Sequence, residues 1–169
     1  MSRVTVVLCP ALDPDAPDGS RRELAAALSA WGIPVVIPHR QANAGTEADD
    51  TRLGMAAWVA DQAVAITAAQ VDGPLILVSS GPANAGLAAL GFSQRAARRS
   101  VVAYVLLGGP LPDASRAGTD WPDAPVIYVD PETSGPHASA ARLRGWTILD
   151  SDPIAAVSGI ARGWPDSLS

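Results

Sequence analysis

Pro74-Leu-Ile-Leu-Val78-Ser-Ser-Gly-Pro-Ala-Asn-Ala-Gly86 is the stretch that decides the fold. Leu75 to Val78 is apolar at every position, as a strand buried on both faces must be. Ser79 and Ser80 are polar residues at the strand end, and Gly81-Pro82 reads as a tight turn. Glycine reaches backbone angles closed to other residues, and proline suits the first turn of a helix. Asn84 to Arg98 follows as an Ala-rich helix with Leu87, Leu90 and Phe92 on its apolar side. The unit is strand, sharp turn, helix.

The same pattern extends outward in both directions. Val4 to Leu8, Val35 to Ile37, Val101 to Leu107, Val126 to Val129 and Trp146 to Leu149 are further strand-like runs. Between them lie four more helical segments. Ser20 to Trp31 carries Leu24, Leu28 and Trp31 at helical spacing, with Ser20 and Glu23 in a capping-box pattern. Arg52 to Gln70, His137 to Arg144 and Pro153 to Arg162 complete the set, with Asp152 as the expected N-cap of the last. Trp31, Trp58 and Trp146 are expected in the core. Alternation of strand and helix predicts a doubly wound, mostly parallel α/β sheet of about six strands with right-handed crossovers. At 169 residues the chain holds one such domain, spanning 1–169.

Bulk composition excludes several functions. Hydrophobic residues make up 48% and charged residues 17%, a globular balance. A net charge of −5 and a pI near 4.8 argue against nucleic acid and anionic membranes as partners. No apolar run reaches the roughly 18–20 residues of a membrane helix. The first residues lack a basic n-region and a cleavage site, so a cytoplasmic location is expected. All twelve basic residues are Arg, which excludes a lysine nucleophile or Schiff base. Cys9 is the single cysteine, so no internal disulfide and no cysteine zinc cage can form. Asp13, Asp15 and Asp18 lack the glycine spacing and distal Glu of a calcium loop. No metal and no cofactor is expected. A small-molecule ligand is the expected partner, and a homo-oligomer is left open.

The segment from Pro74 to Gly86 resembles the nucleophile elbow of the α/β-hydrolase superfamily, where a strand runs into a G-x-S-x-G turn. Val102-Ala-Tyr-Val-Leu-Leu-Gly-Gly-Pro-Leu-Pro-Asp113 is similar to the next strand and loop of small bacterial members. Arg144-Gly-Trp146 and Asp152-Pro153 are similar to the last strand and helix, and Thr5 to Leu12 takes the place of the strand that supplies oxyanion amides. The resemblance implies a reduced α/β-hydrolase-like fold, and it also exposes what this chain lacks. Aligned without gaps, the nucleophile position holds Gly81. The following position, a backbone donor in the family, holds Pro82, which has no N–H. No histidine lies between Leu149 and Pro153, where the family places its base. A one-residue shift instead makes Ser80 the nucleophile, with His137 as a relocated base.

Ligands in such sheets bind at the carboxyl ends of the strands. Candidate catalytic residues are therefore Ser79, Ser80, Asp130 and His137. Candidate ligand contacts are Cys9, Ala11, Leu12, Arg40, Gly81, Gly109 and Trp121, with Trp121 in a Pro/Gly-rich loop placed as a lid or an interface anchor. Ser79 and Ser80 also suit local capping of the next helix, and Cys9 a place in the core. Three functions follow from this pattern. One is a cofactor-independent cyclase, isomerase or lyase acting on a small organic molecule. Another is a catalytically silent binding or partner protein. The third is an esterase or thioesterase that uses Ser80.

Overall fold

The computed structural model describes residues 3–39, 51–113, 121, 124–130 and 135–163, with backbone alone at 51–53. Strands β1 (Thr5–Leu8), β2 (Val35–Val36), β3 (Leu75–Ser80), β4 (Val101–Leu107), β5 (Val126–Val129) and β6 (Thr147–Leu149) form one sheet. Its order is β2-β1-β3-β4-β5-β6, and every neighbouring pair is parallel. The helices are α1 (Gly19–Ala30), α2 (Thr51–Ala68), α3 (Leu87–Ala96), α4 (Pro136–Leu143) and α5 (Pro153–Gly163).

Strand parity divides the core into two layers. Val6, Leu8, Ile76, Val78 and Val105 pack against Leu24 and Leu28 of α1 and Val157 of α5. Val7, Leu75, Leu77 and Leu106 point the other way, toward Trp58 and Ile66 of α2, Leu87 and Leu90 of α3, and Ala141 of α4. Both faces being covered explains the absence of alternation in the sequence. Each fully buried Val or Leu contributes about 1.5–3 kcal/mol. The sheet grows from β1 toward β2 on one side and from β3 toward β6 on the other. The crevice between the carboxyl ends of β1 and β3 is thus the topological switch point, where such sheets place their ligands.

Three local expectations change. Helix α1 begins at Gly19, with Asp18 and not Ser20 at the N-cap position, and Asp18 makes no side-chain capping bond. Its carboxylate is taken instead by Arg21 and Arg22. Trp31 is 48% exposed, because it is the C-cap of α1, where the helical projection of Leu24 and Leu28 no longer applies. The Arg162 guanidinium lies 5.1 Å from its ring centroid. Helix α3 starts at Leu87 and not at Asn84, after a 3-10 turn over Gly81–Gly86. Two expectations stand as drawn. Trp58 is buried and donates to the Pro10 carbonyl at 3.1 Å, and Asp152 accepts from the N–H groups of Ile154 (2.9 Å) and Ala155 (3.1 Å).

Candidate functional site

A cavity of about 320 Å³ opens at the switch point. Cys9 and Ala11 line it from the end of β1, Ser79 and Ser80 from the end of β3, and Asp18 and Arg21 from the start of α1. Leu8, Leu24, Val78 and Leu107 supply an apolar lining. The Arg21 guanidinium is held in place by four hydrogen bonds. Its Nη1 donates to the carbonyls of Leu8 (3.1 Å) and Pro38 (2.8 Å), tying the ends of β1 and β2 together. Its Nε and Nη2 donate to the two Asp18 carboxylate oxygens in a fork. Those hydrogen bonds hold the Asp18 carboxyl below its ordinary range, against the opposing effect of burial. The pair brings no net charge to the cavity. Cys9 is buried, and burial pushes its thiol up to about 12, so it stays protonated at neutral pH.

The elbow pivots on Gly81. Ser80 is the last strand residue, with extended backbone at φ −140°, ψ 152°. Gly81 turns the chain at φ +58°. A side chain at this position would find space, since a Cβ added to Gly81 meets nothing within 4 Å. Ser79 is buried, and its hydroxyl donates to Asn84 Oδ1 at 2.7 Å. Asn84 Nδ2 in turn donates to the carbonyl of Gly108 at 2.8 Å. The expected capping role of Ser79 and Ser80 is absent, since Ser80 makes no side-chain capping bond and Ser79 is taken by Asn84. Of the two hydroxyls, only that of Ser80 is exposed.

A second polar group stands at the end of β5. The buried Tyr128 hydroxyl contacts the Gly109 carbonyl at 3.0 Å and Asp130 Oδ2 at 3.3 Å. Burial first, and the Asp130 carboxylate second, push the Tyr128 phenol up to about 12. Gly109 faces the elbow on its other side. A Cβ built on Gly109 would lie 2.5 Å from the Gly81 Cα, so the two backbones meet only because residue 109 has no side chain.

The structure brings together Cys9, Ala11, Ser79 and Ser80 in the cavity lining and sets Gly109 against Gly81 at the elbow. It does not bring the other candidates to the cavity. Asp130 and His137 are absent from the lining, and His137 is exposed on α4. Leu12 packs against the apolar layer of α2 and α3. Trp121 is half-buried between the rings of Tyr104 and Trp146, at centroid distances of 5.3 and 5.2 Å, so it joins a core aromatic cluster and not an exposed lid. Arg40 lies outside the described residues. Sequence reasoning missed Arg21, Asp18, Asn84 and Tyr128. The first two carried a signal, opposite charges three residues apart at a helix start. Among the described residues no group of three or more His, Cys, Asp or Glu side chains could hold a metal ion, and no helix is long and apolar enough to cross a membrane.

Strand order, switch-point cavity and glycine-centred elbow together describe a doubly wound, α/β-hydrolase-like fold. The chain shares it with a crystal structure of a presumed hydrolase of the alpha/beta superfamily from Xanthomonas campestris pv. campestris. The two match with a TM-score of 0.58 over 99% of this chain and 100% of the other, at 16% sequence identity. The sequence matches no family model and no curated protein.

Proposed function

We propose that this chain is a non-hydrolytic protein on an α/β-hydrolase scaffold that binds a small, uncharged organic molecule in the switch-point cavity. Gly81 is the observation that carries the proposal. The residue at the left-handed turn of the elbow, where the superfamily carries its nucleophile, has no side chain. Pro82 behind it has no N–H for an oxyanion. The cavity has the size of a small-ligand site, near the lower end of the usual ~300–1,000 Å³. Its polar groups are Ser20, Ser80, a Ser79 hydroxyl already donated to Asn84, and a mutually neutralised Asp18–Arg21 pair, set among apolar walls. Such a lining suits a neutral ligand with a hydroxyl or carbonyl on one side.

A fluorophosphonate probe tests the non-hydrolytic half. The intact protein is expected to remain unlabelled. Labelling that disappears in Ser80→Ala would restore the esterase or thioesterase assignment. Ligand-observed NMR against small alcohols, ketones and lactones tests the binding half. Binding is expected in the native chain and lost in Ala11→Phe, which adds a ring to the cavity wall. Equal binding of carboxylates at that site would overturn the neutral-ligand assignment.

The contact between Tyr128 and Asp130 favours a second reading, a cofactor-independent cyclase, isomerase or lyase. A carboxylate in contact with a hydroxyl is a candidate acid–base pair, and this one lies at the end of β5, outside the lining of the switch-point cavity. Turnover of a bound compound that Asp130→Asn abolishes without weakening binding would establish it.

A further inference from the structure

At the amino ends of the strands, helices α2 and α3 flank an open hollow that shares no residue with the switch-point cavity. We propose that it is a second binding site, for a carboxylate carrying a short apolar chain. Small side chains open it. Ala63 and Ala68 on α2 face Ala97 after α3, leaving about 390 Å³ with a mainly apolar lining. Val64 stands beside them, 65% exposed.

Arg99 lines the same hollow and is half-buried. Its guanidinium makes one long contact, 3.4 Å to Gln94 Oε1, and no carboxylate among the described residues pairs with it. The neighbouring Arg98 is exposed and likewise has no acidic partner among the described residues. This local excess of positive charge sits on a chain whose net charge is −5. Gln94, only 1% exposed, also lines the hollow, and its amide nitrogen has no acceptor among the described residues. Buried polar atoms in native proteins almost always have partners.

The unmet groups are thus donors and cations; Thr67, whose hydroxyl donates to the Ala63 carbonyl, and Ser93 also line the hollow, and the rest of the wall is apolar. A carboxylate satisfies the first set through the Arg99 fork, and a short hydrocarbon chain covers the second. A neutral amphiphile would gain only the apolar contact. A bare anion would gain only the charge.

Isothermal titration calorimetry with octanoate, 1-octanol and inorganic phosphate separates these cases. Octanoate is expected to bind the native chain. Arg99→Gln should weaken it about tenfold, the usual loss for a charge-assisted hydrogen bond. Octanol and phosphate should each bind the native chain weaker than octanoate by about the same factor. Val64→Asp lies on the exposed rim and should fold normally, and it too should weaken octanoate. The cavity variant Ala11→Phe should leave octanoate binding unchanged, which keeps this site separate from the one at the strand carboxyl ends. Absence of octanoate binding, equal binding of octanol or phosphate, or full affinity in a folded Arg99→Gln protein would overturn the proposal.

Discussion

The elbow after β3 and the corner after β5 sit at the same end of the sheet, yet they spend their polar groups differently. At the elbow the polar atoms turn inward. The Ser79 hydroxyl, the Asn84 amide and the Gly108 carbonyl form a closed chain of hydrogen bonds behind the turn. At the corner a buried phenol stands against a carboxylate that is only half-buried. The first region is a tight turn with a glycine at its apex, held from behind. The second is a phenol–carboxylate contact that lies outside the cavity lining. Different interactions hold each part in place.

The sharpest way to break this comparison is at the glycine contact. Gly109→Ala combines a left-handed backbone with a collision against Gly81, and should destabilise the fold by about 3–4 kcal/mol in urea unfolding. Gly81→Ala has the same backbone sign but open space around its Cβ, and should cost only about 1 kcal/mol. Equal costs would mean that the two backbones do not need to meet. Asn84→Ala comes next. It leaves the Ser79 hydroxyl and the Gly108 carbonyl without their partner, for a loss of about 2–3 kcal/mol. Tyr128→Phe should have the smallest effect among the hydrogen-bonding changes, about 1 kcal/mol. A larger loss there would show that the β5 corner, and not the elbow, anchors this end of the sheet.

The strands were legible because double burial leaves unbroken apolar runs. Val101–Leu107 and Val126–Val129 end where the sequence predicts. Helix starts were less legible. Ser20 and Glu23 carry a capping pattern, but the bidentate fork between Arg21 and Asp18 governs that turn. Asn84 reads as an ordinary helix residue, and its side-chain partners become visible only when β3 and β4 lie side by side. The cavity was half legible. Position at a strand end puts Cys9, Ala11, Ser79 and Ser80 in the lining of the switch-point cavity, since topology alone directs them there. Trp121 was misplaced because its partners, Tyr104 and Trp146, belong to other elements and nothing local announces them.

One segment ties both regions together. The loop after β4 receives a hydrogen bond at Gly108 from Asn84 and another at Gly109 from Tyr128, while the Gly108 N–H donates to Val129. Both glycines have positive φ, and Gly109 also abuts Gly81. Mutational tolerance at this end of the molecule should therefore be uneven. Exposed Pro82, at the start of the turn after the elbow, should tolerate change. The two-glycine clasp between it and β5 is the part a library of random variants would return almost unchanged.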